Sequence, residues 1–238
     1  MAVITFNGQI GSGGRDLGEL VAQRMGVHYV DQQILVEAAK RIGAPVEALA
    51  QRDEKVSSLR ERIGRFLQNF LEKSAAAGAT GDPFLGPSGM EVLLSRSYSD
   101  VSQMPTTRAQ ELSDLQFMQV TSGVIMDLAQ MGNVVIIGRG SNIILKDFPG
   151  ALHLNTIASL STRYSVMARR EHLDMVTAER LTKEREIDRL AFFRKFFRVD
   201  AADPSLYHLV LNLDKLSLEM ASDTVCSLAE RLEQAAKR

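Results

Sequence analysis

The residues most suited to chemistry form a glycine-rich run near the start of the chain. Glycine occupies four of the seven positions from 8 to 14, shortly after an apolar, β-branched stretch at 3–6. A loop between a buried strand and a helix presents unpaired backbone N–H groups, and the positive end of the helix dipole adds to them, so a phosphate group fits there. The candidate phosphate-binding residues are Gly8, Gly11, Ser12, Gly13 and Gly14.

The loop departs from the usual phosphate-loop pattern at its lysine. Gly8 and Gly13 match the two glycines of G-x-x-x-x-G-K-[ST], but Gly14 stands where the lysine belongs. If the register slides by one residue, Arg15 takes the lysine position and Asp16 the hydroxyl position, while the first glycine is lost. Arg15 is then a candidate cation for the phosphate, and Asp16 a candidate ligand for Mg²⁺. A glycine-rich turn that binds nothing is the alternative.

An arginine between two glycines marks a second candidate site. Arg139 follows the apolar run at 134–137 and is flanked by Gly138 and Gly140. Open parallel sheets bind ligands at the carboxyl ends of their strands, and a charged side chain there rarely packs into a core unpaired. Arg139 is therefore a candidate for binding an anionic group.

A basic segment later in the chain offers more positive charge. A long helix is predicted from Thr177 to about residue 198, and it holds Arg185, Arg189 and Arg194. These arginines could close over a phosphoryl group as a lid, or they could form a solvated helix face with partners at i,i+4 spacing. The phenylalanines at positions 192, 193, 196 and 197 are interpreted as hydrophobic packing rather than as base-stacking platforms.

These candidate residues need a sheet to bring them together, and the sequence predicts one. Short apolar strands are predicted at 3–6, 28–30, 134–137, 151–154 and 208–212. Each is followed by helical sequence, which indicates a P-loop NTPase-like α/β fold: a parallel sheet of about five strands flanked by helices, with a helical insert or lid. Asp31 follows the second strand, where it could cap the next helix.

Composition indicates one globular domain. The chain has 238 residues, of which 45% are hydrophobic and 24% charged, and its formal net charge is -1. These values exclude an intrinsically disordered chain, and the balanced charge gives no general affinity for nucleic acid or a membrane surface. We expect a single P-loop domain over 1–238, with a helical or irregular insert at 45–112 and a lid-like basic helix at 177–200.

The single cysteine and the short apolar runs indicate the cellular compartment of the protein. Cys226 cannot form an intramolecular disulfide, and with only four histidines in the chain it cannot build a structural zinc site. The longest apolar runs are too short to cross a bilayer, and the N-terminus has no signal-peptide pattern. We expect a protein of the reducing cytoplasm.

Several blocks of the sequence resemble a known family. Residues 4–13 resemble the opening of bacterial cytidylate kinases, and 11–18 with 25–31 resemble more specifically the cytidylate kinase-like family, which commonly replaces the P-loop lysine in this way. The block 134–145 resembles the strand and D-G-R-D segment of cytidylate kinases. Residues 203–212 are similar to the family's closing strand.

The resemblance assigns roles to individual residues. Arg139 matches the arginine that contacts the acceptor phosphate, although the two neighbouring aspartates are Ile137 and Gly140 in this chain. The blocks 163–170 and 183–189 are similar to the helix and arginine-rich lid of these kinases, and Arg185 aligns best with a lid arginine. Asp31 also matches a residue of the family pattern, which makes it a candidate substrate contact.

The activity that the resemblance implies is transfer of the γ-phosphoryl group of ATP, with Mg²⁺, to CMP, dCMP or a related small acceptor. A nucleotide-binding or regulatory module that has lost transfer with the lysine is one alternative. A kinase for a different small acceptor is another. Nucleotides are the expected partners in each case, and fold alone does not choose among them.

The middle of the chain carries two features whose role is left open. An apolar stripe at helical spacing runs through 59–71, and a segment rich in glycine and proline follows at 75–90. The stripe could cover an acceptor-binding lobe or form a homodimer interface. The Gly/Pro segment is interpreted as a mobile lid or the edge of a lobe.

Overall fold

The structure, a computed structural model, describes residues 2–39, 59, 61–69, 72 and 87–236. Much of the predicted insert, from 45 to 58, lies outside the described residues, as does the Gly/Pro segment up to residue 86. No helix in the described part of the chain is long and apolar enough to cross a membrane.

The described residues contain a five-stranded parallel sheet in the order β2-β3-β1-β4-β5. The strands are β1 (Val3–Gly8), β2 (His28–Val30), β3 (Val134–Ile137), β4 (Ala151–Ile157) and β5 (Leu209–Asn212). β1 lies at the centre, where Phe6 pairs with Ile137 of β3 and with Leu154 of β4. Helices cover both faces of β1, which is why five successive residues, from Val3 to Asn7, are buried rather than every second one. The predicted fold class is confirmed.

Helices flank the sheet on both sides. They are α1 (Gly14–Met25), α2 (Gln32–Ala39), α3 (Pro87–Ser95), α4 (Tyr98–Ser102), α5 (Arg108–Met131), α6 (Ser141–Ile144), α7 (Leu160–Glu171), α8 (Met175–Phe197) and α9 (Leu218–Ala236), with a 3₁₀ turn at Pro204–Leu206. Residues 61–69 are also helical. α1 and α9 pack on one face of the sheet, and α5 and α8 contribute to the core on the other.

Capping side chains fix where two helices begin. Thr107 accepts a hydrogen bond from the backbone N–H of Gln110, so α5 starts at Arg108. Asp174 accepts one from the backbone N–H of Thr177, so α8 starts two residues before Thr177. These caps satisfy amide groups that have no partner inside a helix.

The described residues at 59, 63 and 67 of the apolar stripe pack into the core of this chain. Leu59, Ile63 and Leu67 are buried in the same core cluster as the α5 residues. They are therefore not available for a homodimer interface. Phe70 and Leu71, at the end of the predicted stripe, lie outside the described residues.

The phenylalanines of α8 pack in the core, as predicted. Phe192 and Phe193 are fully buried, and Phe192 lies edge-on to Phe117 of α5 with 6.4 Å between ring centroids. The ring of Tyr98 also packs against that of Phe192, with 5.0 Å between the ring centroids. This packing joins α4, α5 and α8 in one core cluster.

Candidate functional site

A cleft of about 390 Å³ opens at the carboxyl edge of the sheet. Its walls come from the glycine-rich loop after β1, the turn after β3, the start of α4, and the facing parts of α7 and α8. Of the predicted site residues, it brings together the loop glycines, Ser12, Arg15, Arg139, Arg185 and Arg189. The edge is the one at which open α/β sheets bind ligands.

The glycine-rich loop turns tightly into α1. Gly11 and Gly13 have φ values of 81° and 84°, a region that side chains with a Cβ atom rarely adopt. Gly13 is the N-cap of α1, and its carbonyl accepts the hydrogen bond from the backbone N–H of Leu17 at 3.0 Å. The loop thereby delivers the free amide groups of a helix N-terminus to the cleft.

Thr156 explains why the lysine of the motif is absent. This β4 residue is fully buried beside the loop, and its hydroxyl oxygen lies 2.7 Å from Oγ of Ser12. A Cβ atom on Gly14 would lie 2.5 Å from Oγ1 of Thr156, and one on Gly8 would lie 2.0 Å from it. A lysine at position 14 would clash with β4, so the close packing of loop against strand excludes it.

Arg15 lines the cleft but already has a carboxylate partner. Its Nη2 atom lies 2.8 Å from Oδ2 of Asp31. The other oxygen of Asp31 accepts from the backbone N–H of Ile34 at 3.1 Å, so Asp31 caps α2 as predicted. The two residues therefore form one unit beside the loop.

Arg139 is a buried cation without a carboxylate partner among the described residues. Only 5% of the residue is exposed, and its Nη2 donates to the carbonyl of Leu94 at 3.0 Å. Its guanidinium also lies over the Phe117 ring, 5.4 Å from the centroid. Nη1 has no hydrogen-bond partner in the described structure, and burial lowers the pKa of Arg139 to about 10. A cation buried in this way is suited to an anionic ligand.

The backbone at Arg139 is held in an unusual conformation. Its φ is 60°, and its N–H donates to the hydroxyl of Tyr98 at 3.0 Å. Tyr98, Ser97 and Ser99 line the cleft beside it. Strained backbone of this kind persists where the surroundings hold it, and it clusters at functional sites.

The two α8 arginines that line the cleft are both paired with carboxylates. Nη1 of Arg185 lies 2.6 Å from Oε1 of Glu171, and Nη2 of Arg189 lies 2.7 Å from Oε1 of Glu186. Arg189 is 4% exposed, and its Nη1 has no partner in the part of the chain that the structure describes. The pairing with Glu171 lowers that carboxyl's pKa despite its partial burial, which on its own would raise it.

Three predicted site residues, Asp16, Asp31 and Arg194, are not among those that line the cleft. Arg194 is exposed on α8, because a position five residues beyond Arg189 is rotated by about 140° around the helix. Asp16 turns toward α7, where its carboxylate lies 4.0 Å from Nη2 of Arg169. Asp31, the third, is paired with Arg15 beside the loop.

The described residues contain no group of three or more His, Cys, Asp or Glu side chains that could hold a metal ion. Asp16, the predicted Mg²⁺ ligand, is not among the residues that line the cleft, and its carboxylate lies 4.0 Å from Nη2 of Arg169. Two carboxylates line the cleft, those of Glu171 and Asp188. Since Mg²⁺ in phosphate-binding sites is commonly held by one or two carboxylates together with phosphate oxygens and water, Asp188 fits that role.

Several cleft residues were outside the sequence prediction. Thr156, Tyr98 and Arg170 line the cleft, and Glu186 accepts a hydrogen bond from the backbone N–H of Ile10, another lining residue. Tyr98 is 41 positions from Arg139 in sequence, so no local sequence pattern predicts their contact. Arg170 lies in the last turn of α7, inside a block singled out only by resemblance.

A family model and a curated relative match this chain. The model of the cytidylate kinase-like family matches residues 3–215. A cytidylate kinase from Methanocaldococcus jannaschii is 28% identical over 111 residues, a stretch that covers 46% of this chain and 62% of that protein.

Two solved structures are similar over nearly their whole length. An uncharacterised protein from Eubacterium ventriosum has a TM-score of 0.60 at 14% identity, covering 97% of this chain and 98% of the other. A shikimate kinase from Bacteroides thetaiotaomicron has a TM-score of 0.47 at 12% identity, covering 96% and 98%. The first likeness supports the fold. The match over 3–215, which includes the loop, Arg139 and α8, shows that the chain belongs to the cytidylate kinase-like family.

Proposed function

We propose that the protein transfers the γ-phosphoryl group of ATP to the phosphate of a nucleoside monophosphate, with CMP and dCMP as the first candidates. The observation that carries the proposal is the buried, unpaired Nη1 of Arg139 in the same cleft as the phosphate loop. A cleft with a loop for one phosphate and a separate buried cation for another suits a reaction between two phosphorylated substrates.

The donor side of the cleft is the loop from Gly8 to Gly14. Its backbone amides and the positive end of the α1 dipole would bind the β- and γ-phosphates of ATP. Because no lysine can stand at position 14, positive charge on this side would come from Arg15 and from the lid arginines. Arg15 lines the cleft while paired with Asp31.

The acceptor side is the turn after β3 together with the start of α4. Arg139 would hold the acceptor phosphate, and Ser97, Tyr98 and Ser99 would line the space beside it. We also propose that the insert at 45–112 forms the acceptor lobe, since its described part supplies these three residues. An oxygen of the acceptor phosphate would attack the γ-phosphorus in line with the departing ADP.

Arg185 and Arg189 would neutralise charge that develops on the transferring group. Both project from α8 into the cleft, four residues apart on one helix face. When bound, Mg²⁺ would supply positive charge to offset that of the phosphates, and Asp188 would supply the protein's carboxylate for it. Asp188 is held in place by a hydrogen bond from the Ser102 hydroxyl at 3.1 Å.

The direct test is a transfer assay. Purified protein is incubated with Mg·ATP and a panel of nucleoside monophosphates, and ADP and nucleoside diphosphates are quantified by chromatography. Arg139→Met is the test variant, and Arg194→Met is the matched control because that arginine is exposed outside the cleft. Diphosphate from CMP or dCMP, lost in Arg139→Met and kept in Arg194→Met, supports the proposal. No diphosphate from any acceptor overturns it.

A nucleotide-binding module without transfer is the second candidate. It is favoured by two observations at the donor side: Thr156 excludes a lysine at position 14, and Asp31 neutralises Arg15. This candidate predicts saturable ATP binding by calorimetry, with no diphosphate and no acceptor-stimulated ADP. Transfer to a small phosphorylated acceptor other than a nucleotide would instead point to a kinase of different specificity.

A further inference from the structure

Glu186 joins the phosphate loop to the two helices beside it. Its Oε2 accepts a hydrogen bond from the backbone N–H of Ile10 at 2.8 Å and lies 3.3 Å from Nη2 of Arg163 on α7. Its Oε1 lies 2.7 Å from Nη2 of Arg189 on its own helix. The carboxylate is therefore shared by three donors from three parts of the chain.

The backbone of Ile10 is held at both its N–H and its carbonyl, by Glu186 and by Arg163. Nε of Arg163 donates to the Ile10 carbonyl at 2.7 Å, while Glu186 accepts from the Ile10 N–H. The next residue packs equally closely, since a Cβ atom on Gly11 would lie 2.4 Å from the carbonyl oxygen of Arg163. The Arg163–Glu186 pair thus fixes the first half of the loop against α7.

The charges of the group do not balance. One carboxylate, 15% exposed at its side chain, faces two guanidinium groups whose side chains are 7% and 5% exposed. Burial on its own would lower the pKa of Arg189, and the bond to Glu186 more than offsets it, so the pKa lies above its ordinary value. Nη1 of Arg189 still has no partner among the described residues. The two arginines and the one carboxylate therefore leave a net positive charge on largely buried side chains.

The three donors around Glu186 are those that a phosphate would use. A backbone amide of a glycine-rich loop and two arginines bind phosphate oxygens in the same way that they bind a carboxylate. We infer that Glu186 occupies the place of a donor phosphate oxygen and is displaced when a polyphosphate enters the loop. It is a positioning residue: it holds the loop, Arg163 and Arg189 in a binding arrangement until the ligand replaces it. The inference rests on the proposed function, in which this loop binds the phosphates of the donor.

The test measures affinity for inorganic pyrophosphate and for ATP by calorimetry at physiological ionic strength. Glu186→Gln keeps the shape of the side chain and removes the competing charge, so pyrophosphate should bind about tenfold tighter, which corresponds to about 1.4 kcal/mol. Glu184→Gln is the matched control: it removes the same charge from an exposed site on the same helix, where Glu184 pairs with Arg180 at 2.9 Å. Its affinity should stay within about twofold of wild type, because exposed charges are screened.

Thermal unfolding supplies a second readout. Without ligand, Glu186→Gln should melt at a lower temperature than wild type, because two buried guanidinium groups lose their partner. With pyrophosphate, its rise in melting temperature should exceed that of wild type. If Glu186→Gln does not fold, Glu186→Asp replaces it: the shorter side chain withdraws the oxygens from Ile10, and its affinity should lie between wild type and the tenfold gain.

Equal or weaker pyrophosphate binding by these variants overturns the inference and leaves the transfer assay unaffected. Tighter binding without phosphorylation of any acceptor supports the role of Glu186 and removes the proposed enzyme activity. If wild type and Glu186→Gln bind neither pyrophosphate nor ATP, both proposals fail together.

Discussion

Nη2 of Arg15 lies 2.8 Å from Oδ2 of Asp31, so the arginine beside the phosphate loop and the cap of α2 are one structural unit. The two roles of Asp31 can be separated. Asparagine is also a good N-cap but carries no charge, so Asp31→Asn loses only the ion pair, whereas Asp31→Ala loses the cap as well.

We therefore expect Asp31→Ala to have a free energy of unfolding about 1 kcal/mol below that of Asp31→Asn. Urea denaturation of both variants and wild type measures the difference. Equal stabilities for the two variants would show that Asp31 does not cap α2.

Restoring the motif lysine should damage the protein rather than activate it. In Gly14→Lys the new Cβ would lie 2.5 Å from Oγ1 of Thr156, and overpacking of this kind costs about 1–3 kcal/mol. Thr156→Ala removes that oxygen, so the double variant Gly14→Lys/Thr156→Ala should regain part of the lost stability relative to Gly14→Lys alone. Thermal unfolding of wild type, both single variants and the double variant measures the coupling. A Gly14→Lys protein as stable as wild type would contradict the proposed clash.

Much of the fold was readable in the sequence because the strands are buried on both faces. An apolar, β-branched run such as that at 134–137 marks a strand without knowledge of its neighbours. The glycines of the loop and Arg139 were readable for a related reason. They directly follow such runs, and in a parallel sheet all carboxyl ends meet at one edge.

The rest of the site depends on contacts between distant segments. That Thr156 would lie against Gly14 follows only once β4 is known to neighbour β1. Which face of α8 meets the loop decides that Arg185 and Arg189 line the cleft while Arg194 does not. Glu186 looked like an ordinary acidic residue of a charged helix, because its partner Ile10 lies 176 positions away.

Arg139 should be dispensable for folding and necessary for the acceptor. Arg139→Met removes a buried cation that has no carboxylate partner among the described residues, so its free energy of unfolding should stay within about 1 kcal/mol of wild type. The specificity constant kcat/KM for the acceptor should fall about 100-fold, with the ATP dissociation constant unchanged. Steady-state kinetics and ATP titration measure the two effects. Weaker ATP binding with an unchanged acceptor KM would assign Arg139 to the donor instead.

Acid should destabilise the protein through a buried histidine. Burial, and then the neighbouring His208, lower the pKa of His153 to about 4, while Thr5 Oγ1 lies 2.8 Å from its Nδ1. The unfolded chain binds a proton near the ordinary pKa of 6.5, so the contribution of neutral His153 is complete above that pH and is lost as pH falls toward 4.

The melting temperature of wild type should therefore decline as the pH falls from 7 to 5. That of His153→Gln should decline less over the same range. His172→Asn is the control, because His172 is exposed at the end of α7 and asparagine tolerates its φ of 54°. A decline in His153→Gln as steep as in wild type would exclude this histidine as the cause.

The central claim is that one cleft holds the phosphates of donor and acceptor together, with Arg139 on the acceptor's side. A bisubstrate analogue, in which adenosine and cytidine are joined by a chain of phosphates, tests it by calorimetry. The account predicts one analogue per chain, bound at least about 100-fold tighter than ATP, with most of that gain lost in Arg139→Met and kept in Arg194→Met. An analogue that binds no tighter than ATP, or that is insensitive to Arg139→Met, would contradict it.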